Sequence, residues 1–306
     1  MRHSIPTALL AAVLSISFLA QAEDAVEFPE QRERRTEESF IPNFAVGSSY
    51  FTWNSDADFS NSAGSVSSYE YGVEMNAPII MKEGFRLTAG VKYRKNGLNF
   101  TGAPFLLGNT NFDLHRVDIP FNVWKDINDR WKLWVRLQPG WYSDFNGVSS
   151  DDFILTSLAL LSYQWTEKTK LAFGAYYSRD LGEERVLPAL GFIIEPNQNW
   201  SIALTFPRVA IAYAPNPNWL FTGRAMLNGA GWNIQNPTGA GPDVDLNYQN
   251  VQIGFGVDHR INGPWWAYVD AGMQVAQEVE IEGAGVNFQQ DIDPSAFVTG
   301  GVRMRF

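Results

Sequence analysis

Beyond residue 22 the chain has only two histidines, His115 and His259, and none of its 306 residues is a cysteine. Asp113 and His115 are two positions apart, so on an extended strand both point to one side. They form the only local pair able to orient a general base. No serine is fixed beside them by spacing. One reading is a lipid-directed hydrolase at an outer rim, and the other is a rim histidine hydrogen-bonded locally. His259 lies at the opposite end of its own strand and cannot share a metal with His115. No phosphate loop, dinucleotide fingerprint or metal-ligand cluster occurs. No cofactor is expected, and the chain is not read as an enzyme.

The charged side chains follow a clearer pattern. Glu70 and Glu74 alternate with Tyr69, Tyr71, Val73 and Met75. Arg86, Lys92 and Arg94 alternate with Phe85, Leu87, Ala89, Val91 and Tyr93. Lys132 and Arg136 interleave with Trp131, Leu133, Val135 and Leu137, while Asp258 and Asp270 take the same parity on later segments. Arg116, Asp118, Arg224, Arg303 and Arg305 extend the set. A period of two separates the two faces of a strand. A charge facing hydrocarbon at mid-depth costs about 2–4 kcal/mol, which explains the exclusion from one parity in a transmembrane barrel. The charged face would then line a lumen. A mixed-sign lumen can screen and orient a polar solute, or it can be a satisfied network that stiffens a narrow barrel. Neighbouring acidic and basic strands predict cross-strand pairs.

The elements that must carry this pattern are fourteen extended segments: 44–53, 68–79, 85–95, 112–125, 130–142, 153–165, 170–179, 185–195, 199–206, 208–214, 218–227, 247–259, 264–275 and 297–306. Short connectors such as Lys82-Glu83-Gly84 alternate with longer ones such as Asn228 to Asp245 and Ala276 to Ala296, as periplasmic turns and extracellular loops do. Asn96–Asn111 and Asn228–Asp245 are both long enough to fold into a lumen. The Phe206-Pro207-Arg208 junction is very short, and dropping the pair it joins leaves twelve strands as the alternative. Pro120, Pro139 and Pro188 fall inside strands and predict bulges or bends. Trp131, Trp200, Trp219 and Trp265 each follow a polar turn at the start of an upward strand. Repeated there, they predict an aromatic girdle at the headgroup level.

Residues 1–22 have the parts of a secretory signal peptide: a basic start, an apolar run from Thr7 to Leu19, and Ala20-Gln21-Ala22 before Glu23. That run is too short for a spanning helix, which needs about 20 residues. Residues 23–40 read as a flexible periplasmic tail, and 41–306 as the barrel. A formal charge of −10 and the absence of a basic block argue against nucleic acid as a partner. The final strand, FVTGGVRMRF, sends Arg303 and Arg305 to one side and Val298, Val302, Met304 and Phe306 to the other.

The ending Thr299-x-Gly301-x-x-Met304-x-Phe306 resembles the recognition signal of bacterial outer-membrane barrels, with Gly301, Met304 and Phe306 as its marks. Leu187-Pro188-Ala189-Leu190-Gly191-Phe192, Glu195-Pro196-Asn197, Phe206-Pro207-Arg208 and Pro215-Asn216-Pro217-Asn218-Trp219 resemble a family of exported barrel proteins carried as a domain of unknown function. The likeness covers roughly residues 40 to 306. It implies a porin-like all-β fold in the outer membrane of a Gram-negative bacterium, in contact with outer-membrane lipid and lipopolysaccharide and inserted by the barrel assembly machinery. It implies no substrate and no active-site residue. The functional expectation is a channel or transporter for small solutes; a structural or surface-interaction barrel is the alternative, and the hydrolase the third. The sequence leaves the oligomeric state open.

Overall fold

Period-two patterning becomes one antiparallel sheet that closes on itself. The computed structural model describes residues 39–42, 45–104, 110–147, 149–181, 183–239 and 241–305. The expected signal peptide, most of the expected tail, Phe44 and Phe306 lie outside the described residues. The strands are β1 (Ala45–Asp58), β2 (Ser65–Lys82), β3 (Phe85–Thr101), β4 (Asn111–Asp118 and Phe121–Asp126), β5 (Trp131–Ser143), β6 (Phe153–Thr166) and β7 (Thr169–Leu181). They continue as β8 (Glu183–Asn197), β9 (Trp200–Phe206), β10 (Arg208–Asn216), β11 (Trp219–Ile234), β12 (Val244–Asn262), β13 (Trp265–Gly283) and β14 (Val286–Ile292 and Ser295–Arg305). Each pairs with its sequence neighbours, and β14 pairs with β1, Thr52 opposite Thr299. Closure pairs every strand with two neighbours, and edges are left only where β8 and β11 rise past the β9–β10 hairpin. The count is fourteen, and Phe206-Pro207-Arg208 is a true hairpin turn.

The two interrupted strands have physical causes. In β4 the break falls at Ile119–Pro120, opposite Pro139 on β5, where two residues without a ladder donor meet. The backbone stays tied: Ile119 N–H donates to Pro139 O at 2.9 Å, and Gly90 N–H to Pro120 O at 2.9 Å. In β14 the break falls at Asp293–Pro294. At the same height β13 carries Ala276 at φ 50°, and β1 shifts register between Asn54 and Ala57. These bulges change which residues face inward above them.

Outside, the wall is apolar: Phe51, Val91, Leu137, Ile253, Phe255 and Val269 are among the large hydrophobics left exposed. The band is bounded below by Trp131 packed on Tyr163 (4.7 Å), Trp200 on Tyr213 (4.5 Å) and Trp219 on His259 (4.1 Å), with Trp265 exposed at the same level. Contiguous exposed apolar surface of this extent needs lipid against it. This is a transmembrane β-barrel.

The expected extracellular loops are largely strand. β11 and β12 pair up to Ile234–Val244, and β13 and β14 up to Gly283–Val286. Above the bulges the inward positions are apolar. Leu98, Phe100, Leu114, Tyr142, Trp232, Ile234, Leu246, Ile281 and Phe288 join one buried core at the outer end of the barrel. Full burial of each such side chain stabilises by about 1.5–3 kcal/mol. The core is a roof. It is closed by β11, whose pairing with β10 stops at Met226–Arg208. Above that point β11 keeps β12 as its ladder partner and reaches β5 by a single parallel bridge, Asn233–Ser143. Gln235 N–H also donates to Asp144 Oδ2 at 3.1 Å.

β9 and β10 are the low place in this wall. Seven residues rising about 3.3 Å each and tilted about 40° climb roughly 15–18 Å, short of the ~25 Å apolar band. The tip of this hairpin therefore lies at membrane depth. Pro188 of β8 stands opposite Ala175 of β7 and sits above the last β8–β9 pair, Leu190–Phe206, so on its β9 side no ladder neighbour needs an N–H.

Candidate functional site

Below the roof the inward parity turns polar, and a cavity of about 300 Å³ opens in the lumen. Leu98, Ala230, Trp232 and Tyr248 border it above. Arg94, Arg116, Arg208, Arg224 and Arg303 line it with Glu70, Glu74 and Asp270.

The carboxylates are committed. Glu74 stands opposite Lys92 in the β2–β3 ladder, with Nζ 3.4 Å away, and accepts from Ser48 Oγ at 3.2 Å. Glu70 stands opposite Asn96 rather than a cation; it accepts from Tyr50 Oη at 2.5 Å and Asn96 Nδ2 at 2.8 Å. Arg94 therefore faces Gly72 across the ladder and not a carboxylate. Asp270 lies 3.0 Å from Arg224 Nη2 and 3.8 Å from Arg303 Nη2. Arg303 also stacks over the Tyr268 ring at 3.3 Å and reaches Asp258 at 3.5 Å, while Arg305 meets Asp258 at 3.0 Å.

Asp118 is fully buried where the polar layer meets the roof. It accepts from Arg116 Nε at 2.8 Å and from Tyr142 Oη at 2.7 Å, and Arg116 lies over the Tyr142 ring at 4.3 Å. Low dielectric makes such a satisfied network strong and makes any broken part of it costly. Towards the periplasm, Arg136 Nε donates to Asn122 Oδ1 at 2.7 Å and lies over Trp134. Trp134 stacks on Trp124, which stands opposite Arg86. Lys132 pairs with Asp126 at 3.1 Å at the rim. On the other side of this mouth Phe40 and Ile41 pack against Ala212, Ala214, Leu220 and Trp266, and Phe40 N–H donates to Gln198 O at 2.9 Å.

Asp113 and His115 do share a side, but it is the outer one, and each is engaged elsewhere. Lys95 Nζ lies 3.0 Å from Asp113, which also accepts from Tyr69 Oη at 3.1 Å. His115 Nδ1 meets Tyr93 Oη at 2.9 Å, and its ring stacks on Phe145. The base–orienter hydrogen bond that a hydrolase requires is not made. Among the described residues no three His, Asp or Glu side chains converge as a metal site.

Sequence reasoning turns Tyr268 to the interior but misses Arg208 and Tyr50. Arg208 opens the expected segment 208–214 but is not in the expected lumen set, although Arg208, Ala210, Ala212 and Ala214 share the parity opposite Val209, Ile211 and Tyr213. That alternation was the available signal. Of the terminal marks, Gly301 faces the lumen: a Cβ there would come within 2.9 Å of both Tyr50 Cβ and Tyr268 Cε1. Met304 stands opposite Trp265 and Gly47.

None of the curated proteins matches this chain. Among solved structures, an outer membrane channel from Pseudomonas putida F1 (COG4313) is 8% identical, covering 89% of this chain and 99% of that one at a TM-score of 0.49. A TodX monoaromatic hydrocarbon channel deltaS2 mutant is 13% identical, covering 88% and 92% at 0.46. The NanC porin is 13% identical, covering 85% and 100% at 0.41. Likenesses this loose carry no function across. The family is a different matter, because its model matches residues 43–295: the chain belongs to the family described as a domain of unknown function, DUF6268.

Proposed function

We propose that this barrel passes small polar solutes across the outer membrane through a mixed-charge lumen, and that the conformation described is its closed one. The observation that carries the reading is the polar cavity under an apolar roof whose closing edge, β11 above Met226, is free of β10. Among the described residues, two buried polar atoms on the β11–β12 hairpin, Trp232 Nε1 and Asn247 Oδ1, find no protein partner. Each such atom costs about 1–3 kcal/mol when buried unsatisfied, so closure is held below its full strength. Glu70, Glu74, Arg94, Arg116, Arg224, Asp270 and Arg303 are proposed to meet the solute. Lys92, Arg136, Asp118, Asp258, Arg305, Arg86 and Lys132 hold or flank that set.

A filled, purely structural barrel is the second reading, favoured by the roof itself. Planar-bilayer conductance separates the two. The purified protein should show infrequent openings, and Trp232→Ala, which removes the largest side chain of the closing edge, should make them more frequent. Absence of conductance from both forms rules the passage out.

Contact with lipopolysaccharide at the outer rim and recognition of Gly301, Met304 and Phe306 by the assembly machinery belong to the same proposal.

A further inference from the structure

We infer that the notch above the β9–β10 hairpin is a side portal between the bilayer and the lumen, taking a single-chain amphiphile with a carboxylate head: the apolar chain lies in the notch and the head meets Arg208. The inference goes beyond the passage of small polar solutes and does not depend on it.

The hairpin tip lies at membrane depth, and the strands on either side of it rise further. Above Leu190, β8 pairs only with β7; above Met226, β11 pairs with β12 and meets β5 at one bridge. β11 does not fill the gap beside β8. It comes within 8 Å of β7, Cα to Cα, and both edges of β7 are taken by β6 and β8, so the approach is to the inner face of β7. The strand has turned inward behind β8. A bare ladder edge at membrane depth is tolerated only inside protein or beside a water-filled cavity. The cavity under the roof meets that need: it borders β11 at Arg224, Met226, Asn228, Ala230 and Trp232. It also reaches Gly229, which shares the lipid-side parity of Leu227. On the other flank Pro188 blunts the β8 edge, since it has no N–H to leave unpaired.

Lumen water and hydrocarbon therefore meet at the notch, and a molecule with one end suited to each is what such a place accepts. The rim is apolar. Val186 is 69% exposed, and Leu190, Phe206 and Val209 are exposed on the lipid side around it. The sill is cationic. Arg208 is the first residue of β10, directly after the hairpin turn, and it lines the cavity with its side chain exposed. Among the described residues that side chain has no ion-pair or hydrogen-bond partner. The charged groups that act on it are Arg224, Arg303 and Asp270, and Asp270 is already shared by the other two arginines. A carboxylate would supply the acceptor that the protein withholds, in paired N–H bonds shorter and stronger than neutral ones. A cavity of about 300 Å³ has room for a head of that size.

The test uses palmitate carrying a photoreactive diazirine at its chain end, added to the protein in phosphatidylcholine nanodiscs. Saturable labelling is expected at the notch, on Val186, Leu190, Phe206 or Leu227. Unlabelled palmitate should displace the probe, and neither hexadecanol nor succinate should. Arg208→Gln should weaken binding by about tenfold or more, the scale of one charge-assisted contact, and Arg208→Lys should restore part of it. Because Arg208 faces the lumen, that dependence reports a head group that has passed the wall. Heat-modifiable mobility on gels confirms that each variant is folded. Labels spread evenly round the apolar band, displacement by hexadecanol or succinate as strong as by palmitate, or binding unchanged in Arg208→Gln overturns the portal. Bilayer conductance keeps the two proposals apart. Labelling at the notch without conductance keeps the portal and removes the solute passage, whereas conductance without labelling does the reverse.

Discussion

Asn233 and Ser143 form a single parallel bridge across the outer mouth, joining the edge of β11 to the last residue of β5. Everything else that β11 pairs with above Met226 belongs to β12. The bridge, with the Gln235–Asp144 hydrogen bond beside it, ties the roof to the far wall. Neighbouring strands run about 4.8 Å apart, within the Cα range that a disulfide spans. The chain contains no cysteine to interfere. Ser143→Cys combined with Asn233→Cys should lock the roof on oxidation. Bilayer openings are expected to vanish in the oxidised double variant and to return with reductant, while each single variant behaves as wild type throughout. Openings that persist in the fully cross-linked protein would mean that the passage does not run under β11.

Asp118 tests how the polar layer is held. It has no exposure, and both its oxygens are occupied by Arg116 and Tyr142. Removing one side of a buried ion pair leaves the other charge uncompensated, at a cost of about 3–5 kcal/mol. Asp118→Ala should lower stability by that order in urea unfolding followed by tryptophan fluorescence. Arg116→Met together with Asp118→Leu should recover most of the loss, because neither desolvated charge remains. A double variant as unstable as Asp118→Ala would place the cost in packing instead.

The strand count and the short turns were legible because each rests on local chemistry: a two-residue period and a cluster of polar turn residues. The roof was not. Ala276 to Ala296 reads as an acidic loop, yet Glu278, Glu280 and Glu282 alternate with Val279 and Ile281. The bulge at Ala276 turns the apolar pair inward. A bulge changes parity without changing composition, so the strand signal continues out of phase and is easily lost. Individual charge pairs were hidden for another reason. Adjacent acidic and basic strands promise pairing, but register decides it, and here it sets Glu74 against Lys92 while Arg94 meets Gly72. A two-residue slip, which keeps every side chain on its own face, would set Arg94 against Glu70 and Lys92 against Gly72.

The two faces of the wall predict opposite responses to the same kind of change. Val269 is 55% exposed on the lipid side, flanked by Val257 and Gly300 in the ladders. Val269→Arg should destabilise by about 2–4 kcal/mol, the cost of an arginine near the bilayer midplane. Gln252 lies on β12 with the opposite parity and lines the cavity. Gln252→Glu should leave folding in lipid vesicles nearly unchanged, since its carboxylate enters a wet, arginine-rich lumen. Equal losses in the two variants would contradict the assignment of sides.

Gly301 tests closure of the barrel apart from passage. It sits on β14 between Tyr50 of β1 and Tyr268 of β13, the pairings that close the sheet. A methyl group there would press on the Ser49 carbonyl and on both tyrosines. Backbone on one side cannot move without disturbing the β1–β14 ladder, so Gly301→Ala should cost about 1–3 kcal/mol, the usual scale of overpacking. The loss should appear as a lower folded fraction on heat-modifiability gels. Gly300 faces the other way with open space at its Cβ position, and Gly300→Ala is expected to fold as wild type does. Tyr268→Phe should not rescue Gly301→Ala, because the ring contact remains. Tyr268→Ala should rescue it in part by removing the ring, although the contacts with the Ser49 carbonyl and Tyr50 Cβ stay. A Gly301→Ala protein that folds fully would show that these strands have room to spare where the barrel closes.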